Sequence, residues 1–448
     1  MRPNTIITRF KQNGNIKQKN KFYNSFFLIP IIIFFAFSGK IGGDPMSTIY
    51  SPQNGDYISP IIQGLEKKDT LLKMIHSSMF YQIMATNFSY VSDYSNTLKF
   101  WDQQSDKNKE VFSDDNFKSL AHKIKLQNAS DYIIKRAASE KIIMLNEAHH
   151  IEQNRTFVAS LLKDLKKEGY TYLAAETLNY MDADSMNKRR YVLQQSGTYT
   201  ADPVFASMLN YALKLGYTLI AYENRNHCMD TSPKCLAERE INQAKNLAGV
   251  FEKDKNAKII VLAGYDHIME EGSNIKMMAH YFKEQTQINP LTIDQVEFCE
   301  RSNSEYEHPF YTKIIKNNHI TSQTVPLIDD KPFLTLKKNS VDIQIISPRV
   351  TLVNKRPDFL LNFAEKQKIN LDKKKLPLID SPYVLIQAIN LNEGKLNKQM
   401  IPADQFLLSQ NEYATATELN LYLEKGTYII NVIDSDHLTI YSENISVD

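Results

Sequence analysis

The chain reads as an α/β protein: a parallel sheet flanked by helices, an N-terminal helical segment before it and a C-terminal small all-β domain after it. Three observations predict this. Four apolar runs, at residues 142–145, 172–175, 218–222 and 258–263, lack the polar alternation of a half-exposed strand, so they read as strands buried on both faces of a parallel sheet. The segments between them carry helical spacing. From residue 326 the pattern changes to short β runs divided by turn signals.

The 448 residues are enough for two or three domains, and 42% hydrophobic with 23% charged residues is an ordinary globular composition. Residues 1–38 read as a signal peptide or membrane anchor. Arg2, Arg9, Lys11, Lys17, Lys19 and Lys21 precede an apolar run at 26–37 that is short for a bilayer span but suits a signal-peptide core. The expected location is therefore exported, either periplasmic or membrane-anchored, with membrane association through this segment. Without these six cations the body is mildly acidic, which argues against nucleic acid as a partner. Residues 39–64, polar and rich in Pro, Gly and Ser, read as a linker. Residues 65–130 read as helical, with Leu71, Leu72, Ile75, Met79 and Ile83 at helical spacing, and a short helix at 131–138 feeds the first strand.

The first strand leads into Asn146-Glu147-Ala148-His149-His150. A helix follows, with Phe157, Leu161, Leu162 and Leu165 on one face and Gly169 at its C-terminal cap. The second strand ends on Glu176. The excursion at 179–216 either builds a wall or lid at the ligand edge or is a plain crossover. The third strand ends on Glu223 and a segment containing His227. Cys228 and Cys235 either close a small loop or stay reduced with Cys299. A helix at 236–251 carries Arg239 and Glu240 near its start, a place that suits an anion or oxyanion. The fourth strand ends on Gly264-Tyr265-Asp266-His267. Residues 274–304 add another amphipathic helix and a candidate fifth strand at 291–298, and His280 and His308 read as surface residues. The α/β domain, with its helical extension, is thus set at 65–305 and the all-β domain at 326–448. In the latter, runs at 342–346, 350–353, 383–389, 419–423, 428–433 and 438–441 surround turn signals at 424–426 and 434–436.

In a parallel sheet all four strand ends lie on one edge, where open α/β sheets bind ligands. Glu147, His149, His150, Glu176 and His267 are the catalytic candidates, with Glu223 and Arg239 as substrate-binding residues. Two carboxylates and several imidazoles can activate a water by general base catalysis. The alternative is that they bind a divalent metal or haem. No His-Glu-x-x-His or facial-triad spacing is present, so no metal ligand is assigned.

These residues carry a resemblance. Asn146-Glu147-Ala148-His149-His150, Ala175-Glu176, Arg239-Glu240-x-x-x-Ala244-x-Asn246 and Gly264-x-x-His267, in that order, resemble the motif series of the erythromycin esterase-like superfamily, which includes the ChaN-like haem-binding lipoproteins and the TraB/Tiki-type proteins. The resemblance covers residues 131–300. It implies a parallel α/β core with its site at the strand ends; together with the N-terminal segment, the leading expectation is an exported esterase-like hydrolase acting on a small molecule. The alternatives are a haem- or metal-binding protein of the ChaN-like type and a non-catalytic relative. The esterase-branch motif, Gly-Glu-x-x-His, places the base at His150, whereas the ChaN-like Gly-Glu-x-His points to His149. Asn146 stands where the family has Gly. Glu176, Arg239 and His267 match the remaining positions.

Overall fold

The computed structural model describes residues 49–448 except 50, 51, 53, 109–112, 224–231, 272–274, 337–338 and 395. The signal segment, His227 and Cys228 lie outside the described residues. Cys235 is disulfide-bonded and Cys299 is free and buried.

The centre of the molecule is a sheet of nine strands: β1 (Lys125–Asn128), β2 (Ile142–Glu147), β3 (Tyr172–Ala175), β4 (Thr218–Ala221), β5 (Ile259–Gly264), β6 (Leu291–Phe298), β7 (Thr324–Ile328), β8 (Lys331–Pro332) and β9 (Ile343–Ile346). Their order is β1-β7-β9-β6-β2-β5-β3-β4, with β8 paired to β7. The six strands from β9 to β4 pair in parallel, and β1, β7 and β8 close one edge antiparallel.

The apolar runs fix this arrangement because every residue of β2 and β5 is buried. Alternate side chains serve opposite faces. Ile143 and Leu145 join a core with Phe157, Leu161, Leu162 and Leu209. These come from the helices Glu152–Lys167 and Pro203–Lys214. Ile142 and Met144 join a second core with Ala244, Leu247, Phe251 and Phe282. Those belong to the helices Pro233–Lys253 and Met278–Thr286. Each such buried side chain contributes about 1.5–3 kcal/mol, enough to hold helices on both faces.

β5 lies between β2 and β3, so the chain leaves β2, passes over β5's place to β3 and β4, and returns. The crevice this creates opens at the carboxyl ends of β2, β5 and β3, the switch point of the sheet.

An N-terminal group of helices, from Ser59–Glu66 to Asp114–Ala121, packs beside the sheet. The C-terminal region is antiparallel: β10 (Leu352–Val353) with β11 (Arg356–Pro357), β12 (Gln367–Leu371) with β15 (Leu419–Leu423), and a sheet ordered β14 (Asp404–Ser409), β13 (Tyr383–Asn390), β16 (Gly426–Asp434), β17 (Thr439–Val447). Among the described residues no helix is long and apolar enough to cross a membrane.

Four expectations are corrected. The stretch read as a linker contains the start of a helix and buries Ile49, Tyr57, Ile58 and Ile61 against Phe80 and Met84. The boundary at 326 falls inside β7, and β9, assigned by sequence to the all-β region, lies in the central sheet. Both strands are short, and only their pairing with distant partners gives them away. The Arg239 helix begins at Pro233 under a Ser232 cap, so Arg239 sits two turns in, beyond the reach of its N-terminal amides. His308 is buried, 8% exposed, and caps the helix Pro309–Asn317 by accepting from the Phe310 N–H.

Candidate functional site

Glu147 closes β2 as a buried carboxylate. Its Oε2 accepts from Arg155 Nε at 2.7 Å and its Oε1 from Arg155 Nη2 at 2.7 Å. Arg155, on the first turn of the helix after β2, is fully buried and also pairs with Asp202. Burial pushes the Glu147 carboxyl up, but the Arg155 charge and hydrogen bonds and the His149 contact outweigh it and hold it at about 2. Glu147 is therefore an acceptor only.

That settles the proton on His149. Its Nδ1 lies 2.9 Å from Glu147 Oε1, so Nδ1 donates and, in the neutral ring, Nε2 keeps the lone pair. Nε2 is buried and has no hydrogen-bond partner. A Cβ built on Gly264 would fall 2.5 Å from this nitrogen and 2.8 Å from Glu176 Oε2. His149 and Glu176 thus face each other across a position that only glycine can occupy. Tyr199 stacks on the His149 ring at 4.3 Å and Tyr265 meets it edge-on at 5.4 Å.

Glu176, after β3, accepts from Arg239 Nη2 at 2.8 Å and from the Gly264 amide. Burial raises its pKa, yet His267 and Arg239 prevail and hold it at about 2. Arg239 Nη2 also meets Glu223 Oε1 at 2.9 Å, and its Nη1 lies 3.1 Å from His267 Nε2. His267 Nδ1 faces Glu240 Oε2 at 2.9 Å, and that oxygen also takes the Met278 N–H. A guanidinium can only donate, so His267 Nε2 accepts and Nδ1 carries the proton in this geometry. Burial disfavours the imidazolium, but Glu240 and Glu176 favour it more and raise the His267 pKa. Once protonated, Nε2–H has Glu176 Oε1 3.7 Å away.

The two adjacent histidines have different surroundings. The His150 ring stacks on Trp101 at 3.7 Å, and neither nitrogen has a partner. Burial and the Arg301 charge keep its pKa well below the usual value. Among the sequence candidates, Glu147 and His149 belong to one hydrogen-bonded group with Arg155 and Asp202, Glu176, Glu223, Arg239 and His267 belong to a second with Glu240, the two groups face each other across Gly264, and His150 joins neither. Arg239, expected to hold a substrate anion, has its charge directed to the protein's own Glu176 and Glu223.

Arg155, Asp202, Tyr199, Trp101 and Tyr265 were not foreseen. Tyr199 and Asp202 come from the excursion between β3 and β4, which walls the site. Trp101 comes from the helix Tyr94–Asp102 of the N-terminal group. Tyr265 has a left-handed φ of +40°, strain of the kind that clusters at functional sites. A bulky residue directly after Gly264 was the one signal available in sequence. Asn146 donates to Asp294 Oδ1 at 2.7 Å and accepts from the Gln295 amide at 2.8 Å, tying β2 to β6.

A metal fits these side chains poorly. Glu147 and Glu176 already face Arg155 and Arg239, and among the described residues no three His, Cys, Asp or Glu side chains are placed to hold a metal ion.

No protein-family profile and no curated protein matches the chain. Solved structures overlap it in part. The type III effector HopBA1 is 13% identical with a TM-score of 0.31, covering 50% of this chain and 96% of its own. RRSP, a MARTX toxin effector domain from Vibrio vulnificus CMCP6, is 15% identical with a TM-score of 0.26, covering 47% of this chain and 45% of its own. A structure described as bacterial protein toxins is 11% identical with a TM-score of 0.29, covering 55% of this chain and 57% of its own. Nothing about function rests on likeness at this level.

Proposed function

We propose that this protein is an exported hydrolase of the erythromycin esterase-like type, in which His149 activates water against an ester carbonyl. The observation that carries the reading is the buried Nε2 of His149: unpartnered, held as a lone pair by Glu147 and Arg155, and facing Glu176 across Gly264. The basic and apolar segment at 1–38 supports export.

His149 Nε2 takes a proton from water as the hydroxide oxygen bonds the carbonyl carbon. The Glu147 carboxylate stabilises the imidazolium that forms. His267, whose pKa Glu240 and Glu176 raise, takes up a proton at Nε2 in place of the Arg239 contact and gives that proton to the leaving alkoxide as the C–O bond breaks. His149 then returns its proton to solvent and His267 regains one, so ester and water become acid and alcohol. Glu176 orients the water, and Arg239 keeps Glu176 ionised and in place.

The test is turnover of a panel of p-nitrophenyl esters by His149→Ala and His150→Ala. General base catalysis is worth about 10²–10⁴-fold. His149→Ala is expected to lose that much in kcat while keeping its far-ultraviolet circular dichroism. Unchanged kcat in His149→Ala, with loss in His150→Ala, would move the base to the neighbouring ring. Turnover unaffected by either would end the reading.

A further inference from the structure

Four polar atoms at this edge are buried without a hydrogen-bond partner: His149 Nε2, both ring nitrogens of His150, and the Tyr265 hydroxyl. Native proteins pair nearly all such atoms, and leaving one unpaired costs about 1–3 kcal/mol. The mechanism above uses only His149 Nε2. The other three belong to two rings that share Trp101 as a neighbour: Trp101 stacks on His150 at 3.7 Å and 14°, and lies parallel to Tyr265 at 6.1 Å and 10°. His149 and His150 are 7% and 3% exposed, and Tyr265 is half-buried with its hydroxyl enclosed.

Each guanidinium around the group is already paired with carboxylates. Arg155 faces Glu147 and Asp202, Arg239 faces Glu176 and Glu223, and Arg301 Nε meets Asp102 Oδ1 at 2.6 Å. Among the described residues no guanidinium is left here to attract an anionic ligand. A neutral imidazole offers one N–H and one lone pair in the ring plane, and a phenol hydroxyl can give or take. The complement is a neutral, flat group with both a donor and an acceptor.

We propose that His150 and Tyr265, backed by Trp101, form a recognition subsite for a carboxamide group of the substrate, binding its N–H and C=O beside His149. The inference rests on the hydrolase reading only for placing the bound amide next to the attacked carbonyl. His150 stays neutral because burial and Arg301 disfavour its protonated form, so it presents a donor and an acceptor together.

Trp101 is the only tryptophan of the chain and touches the subsite, so its fluorescence reports binding directly. The probes are N-methylacetamide, butan-2-one (its isostere with CH2 for N–H) and propionate, titrated into the full-length protein over the millimolar range. A saturable change is expected with N-methylacetamide, with the ketone and the anion at least about tenfold weaker, the loss of roughly one hydrogen bond. His150→Phe keeps the stack and removes both nitrogens. Tyr265→Phe removes a single oxygen and tests the same point with the least risk to folding. Each is expected to weaken N-methylacetamide by about tenfold. No saturation, equal binding of the ketone or of propionate, or wild-type binding in both variants overturns the subsite. Amide binding by a protein that hydrolyses no ester would remove the hydrolase reading and leave the subsite. Ester turnover without amide binding would remove the subsite alone.

Discussion

At the scale of single residues, Gly264 is the sharpest test of the site. Its backbone is ordinary, with φ −71°, so the requirement is for space alone: a Cβ there would strike His149 Nε2 and Cε1 and Glu176 Oε2. Gly264→Ala is expected to lower kcat/KM by at least about 10²-fold, because displacement by about an ångström is enough to do so. Wild-type kinetics in this variant would show that the gap has no role. The carboxylates make a second claim. Glu147 and Glu176 titrate at about 2 when folded against an ordinary 4.5, so between these values the unfolded chain binds more protons and stability rises with pH. The contribution, on the order of 3 kcal/mol each, is complete above pH 4.5 and is lost as pH falls towards 2. Asp266, buried and near Asp294, His267 and Glu240, has the opposite sign: its pKa rises from 3.8 to about 6, so its contribution fades as pH climbs through that range. Melting curves from pH 3 to 7 are expected to show a steep acid limb, and Asp266→Asn is expected to flatten the decline between pH 4 and 6. The residues legible in sequence, Glu147, His149, Glu176, Glu223 and His267, share one property: each ends or closely follows an apolar run. Arg155 and Tyr199 lack such a marker. They reach the site through tertiary packing, and on a single sequence a buried Arg on a helix reads the same as an exposed one.

At the scale of elements, two helix starts meet at the candidate site. Asp202 caps the helix Pro203–Lys214 by accepting the Val204 N–H at 2.8 Å, and the same carboxylate pairs with buried Arg155. Asn is as good a cap as Asp, so two substitutions separate the roles. Asp202→Asn keeps the cap and removes the charge. Asp202→Ala removes both and leaves a polar gap beside a buried guanidinium. We expect Asp202→Ala to cost about 3–5 kcal/mol and Asp202→Asn less by about 1 kcal/mol, measured from denaturation midpoints. Equal losses would mean that the cap contributes nothing. Both variants are expected to lose turnover, since Arg155 then loses one of the two carboxylates that fix it against Glu147. The excursion that supplies Asp202 stands out in sequence by its length, which left a wall at the ligand edge and a plain crossover equally open. Which of its residues would face His149 depended on where helix Pro203–Lys214 docks, and no periodicity encodes that. The place of β7 and β9 in the central sheet was hidden for a related reason: 342–346 reads as a β run, but which sheet such a short strand joins is set by pairing with β6 and β7, and no local pattern encodes that.

At the scale of the whole molecule, the three regions share their cores. Phe359, Leu360, Phe363, Ile401 and Tyr422 of the C-terminal region pack in the same cluster as Ile143 and Leu145 of the sheet. Leu385 and Leu407 pack with Phe80, Ile83 and Phe88 of the N-terminal helices. Hydrogen bonds to backbone carbonyls reinforce these junctions: Leu407 N–H to Val91 O at 3.2 Å and Gln405 Nε2 to Tyr90 O at 2.8 Å hold the N-terminal helices, and Ser207 Oγ to Ala403 O at 3.2 Å holds the helix Pro203–Lys214. The N-terminal helices in turn deliver Trp101 to His150, with Asp102 tied to Arg301 and to the Ser302 N–H at 2.8 Å. Regions whose apolar residues complete one another's clusters cannot open one at a time without exposing them, so unfolding is expected to be a single transition. Trp101 fluorescence follows the site and far-ultraviolet circular dichroism follows the whole chain. Coincident midpoints in guanidinium are the expected result. A chain truncated after residue 365 should then fail to give the native Trp101 signal, because the Gln405 and Leu407 bonds that hold the end of the preceding helix are gone. Midpoints that separate, with a truncated chain that keeps its Trp101 environment, would instead make the β region an independent domain and the site a property of the first part of the molecule alone.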